Sequence, residues 1–157
     1  MSLAFDSSAR ELRNILSKFG QGAFYAYATA AQGIPTGATP TAVTVDNEVV
    51  DVCSWFDANT FTPKQPGYYL LFGRVHVIDA DFTDGTDTMY LYIRKNGTAA
   101  AYRPLMTFRY IPLSDIVILE ANGKTDAFDL AVVHNDAQTI DIAQVSFGGV
   151  FVSYNNP

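Results

Sequence analysis

The sequence predicts an all-β sandwich preceded by a short amphipathic helix, and three observations carry that expectation. From residue 23 onward the chain breaks into about ten short β-type runs separated by turn residues. Asn96-Gly97 and Asn122-Gly123 each follow such a run and accept the positive φ angles of a tight hairpin turn. No strand–helix–strand rhythm is present, so a parallel sheet with crossover helices is not expected.

Residues 8–19 carry the helix signal. Ser8 and Glu11 have capping-box spacing, Leu12, Ile15, Leu16 and Phe19 recur on one helical face, and Gly20 ends the run. A helix of about three turns is marginal alone in water. Its stripe must therefore dock on its own domain, on a sister subunit or on another protein, and we read residues 1–22 as an attachment segment ahead of a head domain at 23–157.

The β-type runs begin at Ala23–Ala28, and the Gly/Pro/Thr-rich connector QGIPTGATP separates that run from 41–45. Runs at 49–56, 67–78, 88–94, 101–110, 115–120, 125–134, 139–145 and 147–154 follow. In 126–134 one alternate set is Phe128, Leu130 and Val132, a core face, while the other is small and mixed.

The run at 67–78 differs. Its odd set is Tyr69, Leu71, Gly73, Val75 and Val77, and its even set is Tyr68, Leu70, Phe72, Arg74 and His76. An antiparallel sandwich strand normally turns one polar face to water, and the first half of this run has none. Either a loop or the N-terminal helix covers the even set, or that set packs against sister chains. Gly73 is expected to admit a neighbouring backbone.

Composition narrows the function classes. Charged residues are only 17% of the chain against 48% hydrophobic, so part of the surface is expected to be covered by something else. A net charge of −6 argues against a phosphate-backbone partner, so no nucleic acid is expected. Cys53 is the single cysteine, which excludes an internal disulfide and fits folding in a reducing cytosol. The opening residues lack the features of a signal peptide, and no run approaches the roughly 20 apolar residues of a membrane span.

Catalytic patterns are lacking. His76 and His134 are the only histidines, and no nucleophile-elbow, phosphate-loop or zinc-helix motif occurs. Asp79, Asp81, Asp84 and Asp87 surround Gly85, but the spacing has one residue too many for a calcium loop and the distal Glu is missing, so the run reads as a solvated loop. No metal or cofactor is expected. Glu120, Asp126, Asp129, Asp136 and Asp141 either cluster with His134 at one end of the sandwich or are ordinary acidic loop residues. Among nine tyrosines, Tyr25, Tyr27, Tyr90, Tyr92, Tyr102, Tyr110 and Tyr154 are candidates for a carbohydrate- or protein-binding surface, or for core.

Several pieces, in order, resemble the jelly-roll superfamily of tumour necrosis factor and the globular heads of the first complement component. AFYAYA at 23–28 is similar to the opening strand, and FTPKQPGYYLLFGRV at 61–75 to the phenylalanine, proline, glycine, tyrosine strand. LYIRKNG at 91–97, ILEANGKTDAFDLAV at 118–132 and SFGGVFV at 146–152 resemble the later strands. The resemblance implies a ten-stranded two-sheet jelly roll and a three-fold homotrimer. By register it places Tyr68, Leu70, Phe72 and Arg74 toward the trimer axis, and His76 follows if the strand continues there.

The departures bear on role. The chain has no Gly-X-Y stalk, and the usual Gly-Asp turn reads Asn122-Gly123-Lys124-Thr125-Asp126. A cytokine or complement role is therefore not expected. The expectation is a non-enzymatic homotrimeric virion structural protein of a bacteriophage: a capsid decoration, fibre head or receptor-binding tip, docked to other virion proteins through the N-terminal helix. The alternative is a binding module of a bacterial cell or spore surface that recognises carbohydrate or protein through loops at the trimer apex.

Overall fold

Side chains that alternate apolar and polar with period two can bury one face of a strand, and paired sheets are the way to bury many such faces at once. The computed structural model describes residues 22–78, 87–106 and 112–154. The helix expected over 8–19, with Leu12, Ile15, Leu16 and Phe19, lies outside the described residues, as does all of the Asp79–Asp87 run except Asp87. Among the described residues there is no helix.

The strands are β1 (Ala23–Tyr27), β2 (Gln32–Ile34), β3 (Gly37–Ala42), β4 (Asn47–Asp51), β5 (Phe56–Asp57), β6 (Thr60–Phe61) and β7 (Pro66–Val77), then β8 (Thr88–Lys95), β9 (Thr98–Met106), β10 (Pro112–Asn122), β11 (Phe128–His134) and β12 (Ile140–Ser153). One sheet runs β10-β7-β12-β1-β4, with β2 also on β12; the other runs β5-β6-β11-β8-β9, with β3 also on β11. All pairings are antiparallel.

An aromatic cluster holds the two sheets together. Phe24 of β1 stacks on Phe61 at 4.2 Å and on Phe56 at 5.1 Å, both from the opposite sheet, and meets Phe147 of β12 edge-on at 4.9 Å. Tyr69 of β7 reaches Phe61 edge-on at 5.5 Å. Such ring pairs add about 0.5–1.5 kcal/mol each beyond the area they bury. Gly73 faces inward, and the Leu130 side chain of the opposite sheet fills the space a Cβ would take. That space admits a side chain, where the sequence suggested a backbone.

Three expectations need correction. The connector QGIPTGATP contains β2 and most of β3, which pair with the ends of β12 and β11; proline is tolerated there because β3 lies at a sheet edge. The two runs at 139–145 and 147–154 are one strand, β12, bulged between Ala143 and Ser146, where Gln144 takes φ 50°. Asn122-Gly123 is not a two-residue hairpin.

The last point has a topological cause. Asn96 and Gly97, at φ 53° and 75°, join two strands of one sheet, so a tight turn suffices. Residues 123–127 instead carry the chain from β10 in one sheet to β11 in the other. There Asn122 Oδ1 accepts from the backbone N–H groups of Lys124, Thr125 and Asp126, at 2.8, 2.9 and 3.2 Å. Asp126 closes the corner: it accepts from Asn122 N and Asn96 Nδ2 and pairs with Lys95 Nζ at 2.9 Å. Burial raises the Asp126 carboxyl, but the bonds from Asn96, Lys95 and Asn122 outweigh it and leave the group below its ordinary value.

Two predictions follow from these corners. Gly97 faces open space, whereas a Cβ on Gly123 would run into the backbone of Gln65 and Pro66. Gly97→Ala should cost about 1 kcal/mol from its positive φ alone, and Gly123→Ala several times more, by urea unfolding. Because the folded Asp126 carboxyl is lowered, its contribution is present above the ordinary carboxylate value near pH 4 and is lost as pH falls through the folded value. Asp126→Asn should cost about 1–3 kcal/mol at pH 7 and flatten the acid side of a stability–pH curve.

Candidate functional site: an outward apolar sheet face

β7 is central in its sheet, and its alternation is complete: the odd set is buried and the even set points outward. Tyr68, Leu70, Phe72 and Arg74 therefore share one outward surface. Register extends that surface across the neighbouring strands. At one level run Ile116, Phe72, Gly148, Tyr25 and Val50, on β10, β7, β12, β1 and β4. At the next run Ile118, Leu70, Val150 and Ala23.

Gly148 makes this surface flat. A Cβ there would strike the Phe72 ring, which lies across the glycine and stacks toward Tyr25 with centroids 6.2 Å apart and planes 24° apart. On β10, Ile116 and Ile118 are 58% and 54% exposed. Covering the half of each that remains exposed is worth about 1–1.5 kcal/mol. Among the described residues β10 is an edge strand, so the apolar surface continues around to a sheet edge that no other described strand pairs with.

Ile116 and Ile118 were not singled out from the sequence. In Asp115–Glu120 both alternate sets contain apolar residues, so parity alone does not say which set is outward. Tyr25 and Tyr27 did carry a signal, because their alternates Phe24 and Ala26 are the more apolar pair, and those two are the ones buried.

Toward the far end of the face the chemistry changes. Ser114, Arg74, Ser146, Tyr27 and Asn47 form the next row across the sheet. His76 follows Arg74 on β7, half-buried.

The other candidate groups are dispersed. Asp126 and Asp129 stand at one end of β11, where Asp129 Oδ1 accepts from Arg94 Nε at 2.9 Å; His134 is at the other end, buried, its Nε2 2.9 Å from the Ile34 carbonyl. Asp136 caps the N–H of Gln138. Among the described residues no His, Cys, Asp and Glu group could hold a metal. Burial pushes the Cys53 thiol up and the nearby Asp51 charge adds to it, against a backbone bond with Gly22 that lowers it. On the opposite sheet, Tyr90 and Tyr92 stack at 6.2 Å beside a groove of about 330 Å³ shared with Val133 and His134.

No family model matches the chain, and no curated protein sequence matches it. Solved structures do. The globular domain of a zebrafish complement 1qA protein superposes with a TM-score of 0.62 at 18% identity, over 86% of this chain and 99% of that one. Murine APRIL gives 0.61 at 12% identity, over 84% and 99%, and an Eiger TNF from S. frugiperda gives 0.55 at 14%, over 87% and 94%. At these identities the likeness speaks to fold alone: the chain is an all-β, two-sheet jelly-roll sandwich of the kind shared by tumour necrosis factor ligands and complement heads.

Proposed function

We propose that the chain is a homotrimeric, non-enzymatic display head whose outward β10-β7-β12-β1 face is the contact between copies. The observation that carries this reading is the continuity of the apolar surface from the middle of the sheet onto the edge strand β10. A face that ends, among the described residues, at an apolar edge strand suits a contact in which the edge of one copy packs on the face of the next. Such a heterologous contact forms a ring when its rotation closes, and the jelly-roll likeness makes three the natural number.

The trimer's setting, in this proposal, is a bacteriophage virion, as a capsid decoration, fibre head or receptor-binding tip. A single cysteine and the dispersal of the candidate catalytic groups among the described residues support a structural part assembled in a reducing compartment. The groove beside Tyr90 and Tyr92 favours a second reading, a bacterial surface or spore-coat-like module that binds carbohydrate, because aromatic faces accept the apolar side of a sugar ring.

Light scattering on a sizing column should give about three times the 17.2 kDa chain mass; a clean monomer would overturn the interface. Phe72→Glu would bury a carboxylate on each copy and should yield monomer or aggregate; a soluble trimer of native stability would refute the register. Co-purification with assembled particles tests the virion setting, and saturable binding on a glycan array would favour the second reading.

A further inference from the structure

We infer that Arg74, together with the hydroxyls of Ser114 and Ser146, forms a binding site for a small oxyanion, sulfate or phosphate, enclosed when copies of the chain pack together. The inference rests on the proposed face-to-edge contact.

Arg74 is the only lysine or arginine in the six strands of its sheet. Among the described residues it makes no ion pair with an acid, whereas Arg94 and Lys95 on the opposite sheet are paired with Asp129 and Asp126. Its neighbours in register are Ser114 on β10 and Ser146 on β12, so hydroxyl-bearing residues flank Arg74 on both adjacent strands. All three line one hollow of about 520 Å³, floored by Tyr25 and Phe72. Asp115 also borders it, but Asp115 belongs to the inward set of β10, is 8% exposed, and its Oδ1 accepts the N–H of Ile116.

A second hollow adjoins, of about 470 Å³, and shares Arg74, Ser146 and Tyr25 with the first. Its wall is the β12 bulge, where Gln144 holds a left-handed backbone conformation that non-glycine residues rarely adopt. The bulge displaces β12 beside Arg74 and leaves room there.

Desolvation supplies the driving force. Left open to water, Arg74 needs no partner. Once a second copy covers the apolar rows at Phe72 and Leu70, the guanidinium one row away loses much of its hydration, and an uncompensated buried charge is strongly unfavourable. Its own row supplies hydroxyls and an amide but no carboxylate. A tetrahedral oxyanion matches a planar guanidinium fork with two flanking hydroxyls, and a hollow closed by a sister chain admits a small ion and excludes a polymer.

The test is calorimetric titration of the full chain with sodium sulfate, alongside trimer dissociation by dilution in about 5 mM sulfate against sodium chloride of equal ionic strength. The expected result is saturable binding at one sulfate per chain and a dissociation constant for assembly lowered about tenfold or more. Arg74→Leu should lose the heat of binding and should assemble equally in both salts; Ser114→Ala with Ser146→Ala should weaken sulfate binding while the charge remains. A trimer that binds no sulfate, or an Arg74→Leu protein that keeps the sulfate effect, overturns the site and leaves the trimer standing. A monomer in both salts overturns the enclosed site and the proposed contact together, and the mass measurement separates that failure from the first.

Discussion

Through its first half β7 is apolar on both faces, and that constrains everything around it. Its inward set, Tyr69, Leu71, Val75 and Val77, needs a second sheet, which the Phe24, Phe56, Phe61 and Phe147 rings join to the first. Its outward set needs neighbours that do not interrupt a flat apolar surface. The glycine at 148 meets that need by letting the Phe72 ring lie down. Core and outer face are thus two sides of one central strand, and the sequence of β7 constrains both.

The parity of β7 was readable because its two alternate sets diverge: one stays apolar through Val77, while the other turns basic at Arg74. Strand pairing was less readable. Gln32–Ala42 carries two prolines and two glycines, and it becomes β-structure only because β12 and β11 extend far enough to pair with it. A local reading of turn residues has no access to that partner. Likewise the bulge at Gln144 looks like a break between strands, since a bulge and a turn both interrupt alternation. Asn122-Gly123 misled for a related reason: the dipeptide permits a tight turn, but whether the next strand lies in the same sheet is a property of the whole topology.

The outer face was half legible. Tyr68, Leu70 and Phe72 follow from alternation alone, while Ile116 and Ile118 required the register of β10 against β7 to place them. The dispersal of Asp126, Asp129, Asp136 and His134 was not legible either, because residues close in sequence around one strand are separated by its length. Arg94 and Asn96, which satisfy two of those acids, come from β8 and its turn.

β1 and β12 lie side by side and antiparallel, with Ala23 opposite Val150 and the N–H of Phe151 bonded to the Gly22 carbonyl at 3.1 Å. The chain therefore enters and leaves the sandwich at the same pole. Whatever joins the sandwich ahead of residue 22 or beyond residue 154 meets it at that one pole, away from the pole where β12 begins and β7 ends. Seen as a building block, the sandwich takes both of its covalent connections at a single pole, through two strands that already lie side by side.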